Sequence, residues 1–201
     1  MQIEEKIKIA YEESIRVKEQ FFKENISLIQ EVAELIAKTL NEGGKILIFG
    51  NGGSATDASH IAAEFVNRFK RERPGLPAIA LNADMAVLTA IANDYDYSEV
   101  FAKQIKALGQ KGDVAIGIST SGSSRNVIKA IEVAKKRGLK TIAFTSKKGE
   151  KLISKVDYAF KVSSEETPRI QETHITLGHI LCELVEDILF EIPAINKKKQ
   201  K

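Results

Sequence analysis

Residues Ile46 to Glu64 read I-L-I-F-G-N-G-G-S-A-T-D-A-S-H-I-A-A-E. A short apolar run stops at Gly50-Asn51-Gly52-Gly53-Ser54, and a helix-like pattern opens directly after it. A strand that ends in glycines and turns into a helix N-terminus makes a phosphate cradle. The glycines let the backbone approach the anion, and the free N–H groups of the first helical turn point at it. The stretch partly imitates a dinucleotide fingerprint. It lacks the last glycine, and no acidic residue ends a clear second strand about 20 residues on. His60 and Glu64 lie four apart, so they project from one helix face. A surface ion pair is the ordinary meaning of that spacing. Here the flanking Ile61, Ala62, Ala63, Phe65 and Val66 are apolar, which predicts a largely buried helix carrying two titratable groups. A phosphate cradle and an acid/base or metal-ligand pair on one short helix suggest chemistry on a phosphorylated small molecule.

Outward from this stretch, short apolar runs alternate with helical patterns. Strands are expected at 45–49, 77–81, 114–118, 140–144 and 158–162. Helices are expected at 54–69, 83–92, 98–108, 124–137 and 168–190, with Pro168 suited to a first turn. This alternation predicts an α/β fold with a doubly wound, mostly parallel sheet and helices on both faces. Residues 2–41 read as two helices with a break at Asn25-Ile26-Ser27. The first carries Ile3, Ile7, Ala10, Ser14, Val17 and Phe21 at helical spacing, a narrow stripe suited to a helix–helix seam. The N-terminal helices are therefore expected to pack in an oligomeric bundle around a single domain spanning 1–201, with its core at 45–190.

The whole chain has 201 residues, 43% hydrophobic and 28% charged, an ordinary balance for one globular domain. A net charge of +3 gives no reason to invoke nucleic acid. The runs Arg68-Phe69-Lys70-Arg71-Glu72-Arg73 and Lys197-Lys198-Lys199 read as a solvated face and a frayed tail. The lone Cys182 excludes an internal disulfide and suits a reducing compartment. Its apolar helical setting predicts a buried structural thiol. With no signal peptide or membrane-length apolar run, the expected location is the cytoplasm and no membrane partner is expected.

After the 114–118 strand comes Ser119-Thr120-Ser121-Gly122-Ser123-Ser124, five hydroxyls around one glycine just before a helix. Hydroxyls and backbone N–H groups can both donate to phosphate oxygens there, beyond the carboxyl end of a strand where such sheets bind ligands. With this loop the chain resembles a sugar isomerase (SIS) domain, and more narrowly the phosphoheptose isomerase family. The matching stretches are G-N-G-G-S-A-T-D-A-S-H-I-A-A-E, T-A-I-A-N-D-Y-D-Y-S-E-V-F, I-S-T-S-G-S-S-R-N-V and R-I-Q-E-T-H-I-T-L-G-H. The first and last are specific to that family. The serine loop alone would indicate only a phosphosugar-binding SIS domain.

The resemblance implies an aldose–ketose isomerase that converts sedoheptulose 7-phosphate to D-glycero-D-manno-heptose 7-phosphate, an early precursor of lipopolysaccharide heptose. A base takes a carbon proton and an acid protonates the carbonyl oxygen through an enediol. By resemblance, Glu64 is the base and His179 the acid. Ser119, Thr120, Ser121 and Ser124 hold the phosphate. Asn51, Gly52, Gly53, Asn93, Asp94 and Gln171 contact the sugar, with Glu64. Zinc, one ion per subunit, is implied at His60, Glu64, Gln171 and His179. The assembly implied is a homotetramer with sites shared between subunits.

Two conflicts stay open. Glu64 cannot be both a tightly held ligand and a free base, so either the metal is loose or Glu64 shifts. Gln171 and His179 are eight apart, about 12 Å along a straight helix. Either Gln171 lies on non-helical backbone or the site mixes chains. His174 could face the same cleft or be a satisfied helix histidine. Asp57 could orient a site residue or favour the helix N-terminus. Arg68 could pair with Glu64 or cover a subunit contact. Two alternatives remain from the same resemblance: a non-catalytic relative that binds the bacterial replication initiator, and an isomerase of another phosphosugar such as arabinose 5-phosphate.

Overall fold

A computed structural model describes residues 2–190; the Lys197-Lys198-Lys199 run lies outside the described residues. In chain order the elements are α1 (Ile3–Asn41), β1 (Ile46–Gly50), α2 (Gly53–Val66), β2 (Ala78–Ala80) and α3 (Met85–Asp94). A single 3-10 turn (Tyr97–Glu99) leads into α4 (Val100–Leu108) and β3 (Val114–Ile118). Then follow α5 (Arg125–Lys136), β4 (Lys140–Ser146), α6 (Glu150–Ile153), β5 (Tyr158–Val162) and α7 (Thr167–Phe190).

The strands form one parallel sheet in the order β2-β1-β3-β4-β5. Both faces are covered, so the central strands β1 and β3 are apolar and buried throughout rather than alternating. Ile46 and Ile48 of β1 point into a layer built from α1, α2 and α7. Leu47 and Phe49 point into the opposite layer, with α4, α5 and Leu152 of α6. The expected doubly wound fold is therefore present.

The chain leaves β1 toward β2 on one side and later returns to place β3 on the other. The sheet order reverses between β1 and β3, which makes a crevice beyond their carboxyl ends. Gly50 and Ile118, the last residues of these strands, are register partners. The glycine turn and the serine loop, 68 residues apart when counted from Gly50 to Ile118, thus emerge side by side.

The N-terminal segment differs from expectation. It is one continuous helix of 39 residues, not two. Asn25 does not cap a second helix; its side-chain amide donates to the Phe21 carbonyl at 2.7 Å, within the helix. With no glycine or proline in the segment, and Phe21 and Ile29 buried on either side of Asn25, packing carries the helix through. Val17 and Phe21 of the proposed seam belong to the chain's own core, whereas Ile3 and Ile7 are 78% and 61% exposed.

Candidate active site

Helices α2 and α7 run side by side in parallel. Gly53 packs on Gln171, Ile61 on Gly178, and His60 on His179. Gly178 lets the two backbones approach: a Cβ there would fall 2.5 Å from Ile61 Cδ1. This register brings three sequence-predicted residues together. His60 Nε2 lies 3.2 Å from Glu64 Oε1 and 3.4 Å from His179 Nε2. The His60 and His179 rings meet edge to face, with centroids 4.9 Å apart. One donor atom from each of the three lies within 4.8 Å of the others. Two imidazole nitrogens and a carboxylate oxygen so disposed can share a proton or surround a common cation. The cluster is open: His60 is exposed, with Glu64 and His179 half-buried. A contact this exposed contributes little to stability.

Gln171 does not join this group within one chain. It lies on helical backbone of α7, so the non-helical explanation fails. Its side chain packs at Gly53, seven residues and about 10 Å along α2 from His60.

The phosphate candidates gather at the crevice. Gly52 and Gly122 adopt φ values of +55° and +61°, where L side chains are strained. A Cβ on Gly122 would also strike the Gly149 backbone. Ser119 Oγ and Ser124 Oγ are 3.0 Å apart, and Ser121 Oγ and Ser123 Oγ are 2.9 Å apart. Ser124 precedes α5 without making a side-chain capping bond, its hydroxyl pairing with Ser119 instead. Thr120 and Ser121 line a cavity of about 350 Å³ with Ser146, Lys148, Ser164 and Thr167. Lys148 Nζ lies 2.5 Å from Glu165, which places a cation beside the hydroxyl loop.

Asn51 and Asn126 join the two loops by exchanging side-chain amide bonds of 2.9 and 2.8 Å. Tyr97 adds a hydroxyl 3.2 Å from Asn51 Oδ1. Asn51 is thus tied to the scaffold as well as facing the crevice. Neither Asn126 nor Tyr97 stood out in the sequence, although both lie inside the family-like stretches. Asn93 and Asp94 end α3, exposed, and the structure bonds them to each other at 3.0 Å rather than to the His60 cluster.

The remaining titratable groups separate cleanly. His174 is fully buried against Phe144, with Nε2 3.2 Å from the Thr145 carbonyl. Burial pushes its pKa down to about 4, partly opposed by that carbonyl. It is a neutral core histidine and does not face the cleft, although its Nδ1 finds no partner among the described residues. Burial pushes Asp57 up to about 6, against the pull of His60. Asp57 Oδ2 is buried without a hydrogen-bond partner among the described residues. Arg68 does not pair with Glu64; its Nε lies 3.5 Å from Glu72. Cys182 is buried, and burial raises its thiol pKa, as a structural thiol requires. No helix among the described residues is long and apolar enough to cross a membrane.

A parallel sheet with a glycine turn and a hydroxyl loop side by side at its switch point, and a His60–Glu64–His179 cluster further along α2, defines a class that comparison makes explicit. The chain belongs to the SIS domain family, which matches residues 10–146. Relatives narrow this to the phosphoheptose isomerase branch of that family. The phosphoheptose isomerase of Thermodesulfovibrio yellowstonii is 89% identical over 198 residues, covering 98% of each chain. That of Aquifex aeolicus is 54% identical, covering 93% of this chain and 98% of its own. Among solved structures, the phosphoheptose isomerase of Francisella tularensis superposes with a TM-score of 0.90 at 37% identity. The alignment covers 93% of this chain and 100% of that one.

Proposed function

We propose that this isomerase interconverts sedoheptulose 7-phosphate and D-glycero-D-manno-heptose 7-phosphate by proton transfer between C1 and C2. The observation that carries the mechanism is the convergence of Glu64 and His179 from two helices onto one open point. Glu64 removes the carbon proton and His179 delivers a proton to the carbonyl oxygen, giving an enediol; Glu64 then returns the proton to the neighbouring carbon while the other enediol hydroxyl gives its proton to His179. The Ser119–Ser124 loop and the start of α5 hold the phosphate, while Asn51, Gly52 and Gly53 shape the sugar side of the crevice. Asn93, Asp94 and Gln171 complete the substrate contacts in this reading.

His60, Glu64 and His179 fit zinc as well, three N/O donors with an open side being the pattern of a catalytic zinc site, but Glu64 and His179 would have to be released from the ion to move protons. Bound there, zinc would polarise the substrate's oxygens. Gln171 as a fourth ligand must come from a neighbouring subunit, given its distance from the cluster along α2.

We also propose a homotetramer with shared sites. Glu64 lies eleven residues past Gly53, about 16 Å along α2. An extended heptose phosphate spans about 10 Å from phosphorus to C1, given C–C bonds of ~1.5 Å. Along the α2 backbone the glycine turn and the acid/base pair are spaced more widely than this substrate, and in this reading a neighbour's cluster closes the gap. Exposed Ile3 and Ile7 on α1 supply apolar surface for that contact. So does a groove of about 550 Å³ between α1 and α7, lined by Ile26, Leu184 and Ile188. Residues 2–41 act in this reading as the oligomerisation segment of a single domain. The lone buried Cys182 is consistent with the reducing cytoplasm.

Purified protein given sedoheptulose 7-phosphate should yield the aldose, followed by NMR of the carbonyl carbon. Turnover of arabinose 5-phosphate with none of the heptulose phosphate would assign another substrate.

A further inference from the structure

The chain leaving α2 passes through Asn67–Pro74, and a buried ion pair pins this segment to α7. Glu186 accepts from the backbone N–H groups of Phe69, Lys70 and Arg71 at 3.2, 2.9 and 2.7 Å. It also accepts from Arg73 Nε at 2.8 Å, both side chains being almost fully buried. The Arg73 guanidinium donates in turn to the carbonyls of Phe65, Asn67, Pro74 and Glu64. These contacts hold the Glu186 carboxyl below its ordinary pKa against the cost of burial. A buried pair of this kind is weak evidence for stability, and what it fixes here is position.

It fixes the segment that carries Phe69. The Phe69 ring stacks on the face of His179, with centroids 5.7 Å apart and planes 28° apart. The edge-to-face contact with His60 lies against the same imidazole. An imidazole turns easily about χ2, whose preferences are broad. A ring on its face and another at its edge select the orientation that turns Nε2 toward His60. We propose that Phe69, held by Glu186 and Arg73, is a positioning residue that fixes the orientation of His179. The proposal rests on His179 acting as the acid.

The test is a double-mutant cycle on the full-length isomerase, with kcat, KM and thermal unfolding measured for each variant. Phe69 is half-buried, so Phe69→Leu should fold. It should lower kcat about 10-fold with KM within about 2-fold, because a misoriented acid is lost only in the transition state. Phe69→Tyr keeps the stacking face and should stay within about 2-fold of the parent kcat. In a His179→Gln background, Phe69→Leu should have no further effect. An unchanged kcat for Phe69→Leu would overturn the proposal, as would an equal fall in both backgrounds. Parent-level turnover by His179→Gln would overturn the acid assignment itself, and the proposal with it.

Discussion

Gly178→Ala tests how tightly the α2–α7 contact sets the site. The new Cβ would fall 2.5 and 2.7 Å from Ile61 Cδ1 and Cγ1. Carbon atoms in contact sit about 3.5–4.0 Å apart, so roughly 1 Å must open. Ile61 is buried and stiff at χ1, so the helices separate or Ile61 is forced off its rotamer. Overpacking of this kind costs about 1–3 kcal/mol. At about 2–4 °C per kcal/mol for a chain this size, Tm should fall by roughly 2–12 °C. The next residue is His179, whose Nε2 lies 3.4 Å from His60 on the helix being displaced. A shift near 1 Å at reacting groups can cost on the order of 10²-fold in rate. Turnover should therefore fall between about 10- and 100-fold, read by a coupled assay beside a circular-dichroism melt. Ile61→Val in the same chain removes Cδ1 and should recover part of the rate. Full turnover and an unchanged Tm for Gly178→Ala would refute the view that this contact sets the cluster geometry.

Further outcomes follow from the buried groups and the exposed stripe. His174 has a pKa of about 4 when folded against 6.5 as a free group, so the folded state binds fewer protons between those values. Unfolding free energy should fall as pH drops through that window, by up to about 3 kcal/mol, and His174→Gln should flatten that slope in urea titrations. Asp57 has the opposite sense: its folded pKa of about 6 exceeds the ordinary 3.8, so stability is lost as pH rises between the two. Asp57→Asn should raise Tm at pH 8 and make no difference below pH ~3.8; a lower Tm at pH 8 would argue against an unpaired buried carboxylate. Ile7→Glu should reduce both the mass found by light scattering and the activity. A fully active monomeric parent chain would remove the shared-site proposal. Phe21, packed on Phe160 in the chain's own core, is unsuitable for that test.

The sheet was legible because each strand is a short apolar run bounded by turn residues. Gly50-Asn51-Gly52-Gly53 and Ser119–Ser124 could be placed at strand ends from composition alone. Their adjacency was not legible, because the β2-β1-β3 order is a property of the crossover rather than of either loop. The i, i+4 spacing placed His60 and Glu64 on one face. That His179 should join them depends on Gly178 letting two helices approach, a contact 117 residues distant in sequence. Periodicity suggested the break at Asn25, where an in-helix amide bond and core packing prevail. Nothing local in the sequence marks the Arg73–Glu186 pair, which forms across 113 residues. The basic run 68–73 has the composition of a solvated face but contains a buried guanidinium and the ring that stacks on His179.

The central claim is that Glu64 is the base of a proton-transfer isomerisation. Glu64→Gln preserves the side chain's shape and its place beside His60 while abolishing its basicity. Steady-state kinetics with sedoheptulose 7-phosphate should show kcat lower by about 10²-fold or more, with the variant still binding substrate. Turnover by Glu64→Gln within a factor of about two of the parent would contradict the account.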